Sequence, residues 1–357
     1  MKYVSLLLLV LSVSATALAQ DLDAGKHLAF AQIAFGGGYE TLLNMSNRGT
    51  AAFNGTLTLL PSDRTKPFPA LVDGSPASAA LNLALNPGAT ASLRITSGDA
   101  SAGTLSGFAI IAATNPERAS LLEGNLTYYV KSADGTIVDS VGVAPSRPIL
   151  QAVIPFDDFQ TVALALANRN SANQTATVRL MLFDDKNAQI GRATQTLANN
   201  EQVPRFLYQF FPGVSLTKGR VEIQADQPFL GTALTFVKGG QASSLPFLPS
   251  LKLYDVRLEA AGQTFTGQAY IAVDFPYVTG YFVDTVNGVP QPGTESQIGI
   301  LKDGGLELFD VEGSNELFHA RIPAFNLTQQ THSGTAEFIV INPPSVTQAT
   351  LTLTAVN

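Results

Sequence analysis

The dominant pattern along the chain is the alternation of apolar and polar residues with a period of two. Clear examples are GTLTLL at 55–60, TATVRLMLF at 175–183, RVEIQA at 220–225 and ATLTLTAV at 349–356. This period is typical of strands with one buried face, because successive side chains point to opposite sides of a sheet. Long helical patterns are almost absent, so the sequence predicts an all-β protein.

Turn-forming pairs separate the predicted strands, as at Asp134-Gly135, Asn287-Gly288 and Gly304-Gly305. Asn-Gly and Asp-Gly supply the positive φ angles that tight hairpins require. Many short strands joined by such turns favour tandem β-sandwiches, immunoglobulin-like or similar in architecture.

One short helix is expected in RFLYQFFP at 205–212, where Phe206 and Phe210 lie one helical turn apart. Its apolar side is expected to close the open end of a sandwich. The alternative is that the helix contacts a partner.

Two stretches resemble each other at a distance of 121 residues. The first reads TLLNMSNRGTAAFNGTLTLL from Thr41, and the second reads TVALALANRNSANQTATVRLMLF from Thr161. This register aligns Asn47 with Asn168 and predicts an internal repeat.

The predicted correspondence continues beyond these stretches. It pairs 85–95 with 197–207 and 106–111 with 230–236. The strands after Leu251 do not fit this register. The sequence therefore predicts a signal peptide at 1–19, a first module at 20–148, a second module at 149–250 and a distinct third β domain at 251–357.

The N-terminus has the features of a secretory signal peptide. Lys2 precedes an apolar run from Val4 to Val13, and Ala17-Leu18-Ala19 forms an A-x-A cleavage site. We expect cleavage after Ala19 and an exported protein, extracellular or on the cell surface, with the periplasm as an alternative. A retained signal anchor is the competing interpretation.

The composition of the chain argues against some classes of function. The chain has no cysteine, so no disulfide supports its cores, and its formal net charge is −7 with only 14% charged residues. An acidic chain without a basic cluster lacks the electrostatic footprint of a nucleic-acid-binding protein. We expect no nucleic-acid partner and no membrane span.

The glycine run at 36–38 superficially resembles a phosphate-binding loop. A phosphate loop requires a helix N-terminus directly after it, and here a predicted strand follows. The second copy has FDDF at this place, where Asp157 and Asp158 would repel an anion. The glycines therefore predict a turn into the first core strand.

The phrase FAQIAFGGGYETLLNMSN is similar to the start of a β-sandwich module repeated in uncharacterised secreted bacterial proteins of acidobacterial type. The phrases NNEQVPRFLYQFFP and GRVEIQADQPFLGTALTF resemble later parts of the same module, so the resemblance covers about 28–248. The chain departs from that pattern at Phe35, where an acidic residue is usual. The resemblance implies an exported, non-catalytic β architecture and leaves the ligand open.

The chain lacks a recognisable catalytic motif. His27, His319 and His332 have no metal-ligand spacing, and SLTK at 215–218 matches S-x-x-K without its companion motifs. We expect no enzyme activity, with an unrecognised hydrolase as the least favoured alternative.

Two acidic pairs, Asp157-Asp158 and Asp184-Asp185, are candidate calcium ligands. Neither has the D-x-D-x-D-G spacing that gathers oxygens around one ion. Asp and Asn also favour turns. We expect solvated turns and no cofactor, with calcium as the alternative.

Tyrosines in PYVTGYFV provide the remaining candidate site. Tyr277 and Tyr281 fall on one face of a predicted strand, where exposed rings stack on sugars; ordinary cross-strand packing is the alternative. The sequence favours a non-catalytic secreted or surface protein that contacts polysaccharide, cell-surface or matrix components. The alternative is a dedicated carbohydrate-binding protein.

Overall fold

Strands make up nearly all the regular structure in this computed structural model, which describes residues 27–77, 80–114, 122–169, 175–237, 242–245, 247, 251–274, 277–286, 289–302, 304–312, 316–325, 329–340 and 344–356. For His27, Leu251, Lys302 and most residues of 272–298 and 310–316, the description covers the backbone alone. The predicted all-β class is confirmed, and the expected short helix is present as α1 (Leu207–Phe210). The predicted signal peptide, 1–19, lies outside the described residues.

The first module consists of two antiparallel sheets. Its strands are β1 (His27–Phe35), β2 (Tyr39–Asn47), β3 (Phe53–Pro61), β4 (Ala70–Val72), β5 (Ser75–Pro76), β6 (Leu81–Leu85), β7 (Thr90–Ser97), β8 (Leu105–Ala113), β9 (Leu122–Lys131) and β10 (Ile137–Val143). A four-stranded sheet has the order β1-β8-β3-β6, and a six-stranded sheet has the order β10-β9-β2-β7-β4-β5.

Both sheets contribute to one buried core, which makes the first module a β-sandwich. Phe30 and Phe53 come from the four-stranded sheet, and Leu43 and Leu126 come from the six-stranded sheet. The burial of β2 alternates along the strand, as the period of two predicts.

The glycine run forms the turn between β1 and β2. Gly36, Gly37 and Gly38 have φ angles of 73°, 56° and 90°, and Tyr39 N donates to Gly36 O at 2.9 Å. A side chain on Gly37 would lie 2.6 Å from the backbone nitrogen of Thr104. The prediction of a turn is confirmed, since a strand follows directly.

The second module contains one long strand that pairs with several others. Its strands are β11 (Pro148–Phe156), β12 (Gln160–Ala167), β13 (Ala176–Asp184), β14 (Gln189–Leu197), β15 (Gln202–Phe206), β16 (Gly219–Val237) and β17 (Ala242–Leu245). The strand order is β14-β13-β16-β12-β15, and β11 and β17 also pair with β16.

The two modules share an order of strand pairing. In the first module β3 pairs with β6 and β8, while β2 pairs with β7 and β9. In the second, β13 pairs with β14 and β16, while β12 pairs with β15 and the same β16. One continuous strand, β16, therefore occupies the places of both β8 and β9.

This topology corrects one predicted correspondence. Residues 230–237 pair with β12, as β9 pairs with β2, so they take the place of 122–131. The predicted match of 106–111 with 230–236 was wrong. Alternating apolar residues occur in every half-buried strand, so this short pattern does not distinguish one strand from its neighbour.

The two modules pack directly on each other. A small apolar cluster joins β1 and β8 of the first module to β12 and β16 of the second; its buried members are Ala29, Ala31, Phe108, Ile110, Ala167 and Leu230. Gln202 of β15 lies beside this cluster and is 2% exposed. Its Nε2 lies 2.6 Å from Ala31 O, 2.6 Å from Gln32 Oε1 and 2.9 Å from Gly107 O, and its two hydrogens are shared among these three acceptors.

Helix α1 turns its apolar side inward. Leu207 and Phe210 are buried, as is Phe211 directly after the helix, and α1 contacts β12 and β15. This is the packing expected of a helix that covers part of the second module. Tyr208, on the other side, is 53% exposed.

The remaining strands form a closed antiparallel barrel. They are β18 (Leu251–Ala260), β19 (Gln263–Asp274), β20 (Tyr277–Val286), β21 (Val289–Lys302), β22 (Gly305–Glu312), β23 (Glu316–Ile322), β24 (Thr331–Val340) and β25 (Ser345–Ala355). Each strand pairs with the next, and β25 pairs with β18, with Ala355 opposite Tyr254. The buried cluster includes Tyr254, Ile271, Val278, Leu308, Ile322 and Leu353.

The chain divides into two compact units. The first comprises Met1–Arg147, Ile154–Val221 and Phe229–Phe247, and the second comprises Pro148–Val153, Glu222–Pro228 and Leu248–Asn357. Both predicted modules contribute to the first unit, and the predicted third domain, 251–357, lies in the second.

Candidate functional site

The solvent face of β18 and β19 carries an exposed tyrosine that the sequence analysis did not single out. Tyr270 is 40% exposed, whereas Ala269 and Ile271 on either side are fully buried. In the strand register, Tyr270 lies opposite Leu253 of β18 and opposite Tyr281 of β20. This is the face on which a ligand outside the barrel would meet an aromatic ring.

The predicted stacking residues both lie in β20. Tyr281 is directly opposite Tyr270, and Tyr277 is opposite Asp274 of β19 and Ile300 of β21. The side chains of Tyr277 and Tyr281 lie outside the described residues, so their participation in a stacking face stays a prediction. The backbone register places one of them beside the exposed ring.

A polar pair flanks Tyr270. Gln268, two residues earlier on the same strand face, donates from Nε2 to Asp255 Oδ1 at 3.1 Å. Sugar rings present apolar C–H faces and hydroxyl edges, which suit an aromatic ring beside an amide and a carboxylate. The alternation of Tyr270 with Ala269 and Ile271 was the sequence signal that could have identified this tyrosine.

On the inner side of the barrel, polar groups are packed among aromatic rings. Tyr254 is fully buried, and within the described part of the chain its hydroxyl has no hydrogen-bond partner. Burial raises the pKa of this phenol above its usual value. The Tyr254 ring lies 6.3 Å from Phe325 and 6.1 Å from His332, which is itself 4.6 Å from Phe325. We interpret this cluster as part of the barrel core.

Lys252 lies at the edge of this cluster. Its Nζ is 5.5 Å from the centre of the Tyr254 ring, a distance typical of a cation–π contact. Desolvation by burial lowers the pKa of Lys252 from its ordinary value. This arrangement is typical of a lysine whose methylene groups cover apolar residues at the end of a core.

The three histidines lie in different strands. His319 stacks on Phe309 with ring centres 4.8 Å apart, and His332 is buried within β24. His27 begins β1, and its side chain lies outside the described residues. Across the described ranges, no three His, Asp or Glu side chains form a group that could hold a metal ion.

The S-x-x-K match and the acidic pairs occur in connections between strands. Ser215 and Lys218 are both exposed between α1 and β16. Asp184 Oδ1 accepts from the backbone nitrogens of Lys186 at 2.9 Å and Ala188 at 2.8 Å. Asp157 Oδ1 likewise accepts from the backbone nitrogen two residues on, at 3.0 Å. These are the turn roles expected of both pairs.

Comparison with known proteins identifies no relative. No family model, no curated protein and no solved structure matches the chain. The resemblance to secreted bacterial modules over about 28–248 therefore stays a prediction. No helix within the described residues has the length and apolar character needed to cross a membrane.

Proposed function

We propose that the chain is a non-catalytic exported or cell-surface protein that contacts polysaccharide, cell-surface or matrix components. The observation that carries this proposal is the buried junction of the two modules through Gln202 and the surrounding apolar cluster. A junction of this kind fixes the spacing of the surfaces on each module, which is a mechanical requirement of a scaffold.

Three pKa shifts in the first unit agree with a scaffold. Aspartates with lowered pKa values, such as Asp63 and Asp134, are exposed turn residues that accept local hydrogen bonds. Burial raises the pKa of Tyr128, whose hydroxyl donates to Gln32 O at 2.5 Å. Each of these shifts has a local structural cause, whereas reactive sites combine shifted groups in a cleft.

We also propose that the two modules arose by duplication. Asn47 N donates to Ala89 O, and Asn168 N donates to Glu201 O, both at 2.9 Å. The side-chain amides donate to Leu85 O at 3.1 Å and to Leu197 O at 2.9 Å. Leu85 and Leu197 are the first residues of the two stretches, 85–95 and 197–207, that the predicted repeat pairs. The aligned residues Asn47 and Asn168 therefore make equivalent hydrogen bonds.

The interaction proposal is tested by depletion of the purified mature chain from solution. The chain is mixed with intact cells and with a panel of insoluble polysaccharides, each with and without calcium. We expect loss from solution to at least one of these surfaces. A chain that stays in solution with every surface, while it hydrolyses a glycoside or ester substrate, would contradict the proposal and favour a hydrolase.

A second candidate function, dedicated carbohydrate binding, rests on the exposed Tyr270 with Tyr281 opposite it and the Asp255–Gln268 pair beside it. Stacking of a nucleic-acid base on one aromatic side chain is worth about 1–3 kcal/mol, and we use this value as the scale for a sugar ring. Tyr270→Ala and Tyr281→Ala should each weaken retention on a bound polysaccharide about tenfold or more.

The matched control is Phe265→Ala, because Phe265 is an exposed aromatic residue near the other end of the same strand. Retention should be unchanged in this control. Equal retention of all three variants would contradict a stacking site at Tyr270. Tyr277→Ala then tests whether the site extends toward Tyr277, the first residue of β20.

A further inference from the structure

Strand β14 leaves one edge of its sheet open. It pairs with β13 from Leu197 opposite Ala176 to Gly191 opposite Leu182, and it is the terminal strand of its sheet among the described residues. A register shift at its start confines the regular part to 191–197. In an antiparallel pair, alternate residues direct their N–H and C=O groups away from the partner strand.

A side-chain hydrogen bond marks the residues that face outward. Gln195 Nε2 donates to Thr196 O at 2.8 Å, a contact consistent with a carbonyl directed away from β13, and the oxygen keeps a second lone pair for another backbone. By alternation, Thr194 and Arg192 have the same orientation. The open edge therefore presents three successive outward backbone positions.

Three of the other strand edges of the first unit are covered or interrupted, and the edge strand β6 has only five residues. Ser146 N donates to Ala29 O of β1 at 2.7 Å. Asp139 of β10 accepts from Ala242 N of β17 at 3.1 Å, and β15 contains Pro204. By contrast, β14 has nine residues, no proline and Arg192 as its single charged residue. Natural proteins usually protect an edge of this length with charges or proline.

We propose that β14 pairs in antiparallel fashion with β14 of a second copy of this chain. The inference deepens the proposed interaction function and rests on it. A row of N–H and C=O groups is satisfied by another extended backbone, and a strand paired with itself about a two-fold axis is self-complementary.

Charge selects the register of this pairing. Centred on Thr194, the two strands use the whole regular part, and each Arg192 faces Thr196 of the other copy. Centred on Arg192, the two guanidinium groups would oppose each other, and like charges opposite each other destabilise a sheet.

The test uses two substitutions of opposite charge at one exposed position. Thr196→Glu places a carboxylate opposite Arg192 of the second copy, and Thr196→Lys places an ammonium there. Within the chain, Thr196 lies opposite the neutral Thr177 and diagonal to Arg179, so the Tm of each variant is compared with that of the wild type before the dissociation constants are compared. By symmetry each change acts twice, and the dimer dissociation constants of the two variants should differ roughly tenfold.

Sedimentation equilibrium over about 1–100 µM measures these constants, a range that spans typical weak self-association. The controls are Thr90→Glu and Thr90→Lys, since Thr90 is exposed on β7, an internal strand of its sheet. They should leave the association unchanged. Hydrogen exchange should also show concentration-dependent protection of the amides at 192, 194 and 196.

A wild-type chain that stays monomeric over this range overturns the proposal. So does a dimer whose dissociation constant responds equally to both substitutions at Thr196. A monomeric chain that still binds cells or polysaccharide would overturn this inference alone. A β14 dimer that binds no surface would support it and count against the proposed function.

Discussion

Gln202→Leu should weaken the packing between the two modules, because it removes the hydrogen bonds that Gln202 makes to the first module. The β1–β8 register shifts between Phe30 and Ile33, so the ladder is irregular at Ala31 and Gln32. Gln202 donates to the backbone carbonyl of Ala31 and to the side-chain oxygen of Gln32 at this irregularity. Leucine has a similar size and no donor, so these oxygens would stay buried without a partner.

The magnitude follows from the number of hydrogen bonds that one amide can make. The Nε2 group has two hydrogens, and each buried acceptor left unpaired costs about 1–3 kcal/mol. The substitution also removes Gln202 Oε1, a buried acceptor without a partner among the described residues, which offsets part of this cost. We therefore expect Gln202→Leu to lower the free energy of unfolding of the first unit by about 3 kcal/mol. For domains of 150–250 residues, this corresponds to a decrease in Tm of roughly 6–12 °C.

Differential scanning calorimetry at pH 7 measures this effect on the transition of the first unit. The matched control is Gln195→Leu, because Gln195 is half-exposed on β14 and donates to a single carbonyl. The free energy of unfolding of this control should stay within about 0.5 kcal/mol of the wild-type value. If Gln202→Leu melts at the same temperature as this control, the hydrogen bonds of Gln202 do not hold the modules together.

Three further predictions concern the cores and turns. Asn47→Ala and Asn168→Ala should each destabilise the first unit by about 2–3 kcal/mol, because each leaves buried backbone groups unpaired; unequal losses measured by urea denaturation would contradict their equivalent roles. The pKa values of Asp63 and Asp134 are lowered to about 2, so their stabilisation is present above the unfolded pKa of about 3.9 and is lost as the pH falls toward 2. The Tm of Asp134→Asn should therefore depend less on pH between about 4 and 2 than that of the wild type, and an unchanged slope would contradict this. Leu353→Ala in the barrel core should cost about 2–5 kcal/mol in the second unit, and a loss below 1 kcal/mol would show that the site repacks.

Much of the local structure could be predicted from the sequence. The period of two predicted the all-β class, the aromatic spacing at 205–212 predicted α1, and the glycine run predicted the turn before β2. These features depend on neighbours a few residues away, through side-chain alternation and backbone φ preferences. The functional interpretation, a binding scaffold with Tyr277 and Tyr281 as a stacking face, stays a prediction.

The candidate site was only partly predictable. Tyr281 was singled out from its own strand, but its neighbour Tyr270 is eleven residues earlier and meets it only through the register of β19 and β20. Similarly, nothing in the sequence before Phe206 distinguished Gln202 from the other polar residues of that stretch. Its burial depends on the first module, about 170 residues away along the chain.

Local patterns in the amino-acid sequence specify which residues alternate between a buried and an exposed face, and where the chain turns. The neighbours of each strand are set by the folded chain: the closure of the barrel by β18 and β25, the continuous β16 that replaces two strands, and the open edge of β14. Strands pair through backbone N–H and C=O groups, which are nearly the same in every residue. The choice of partner therefore depends on the packing of the whole chain, which a local pattern does not contain.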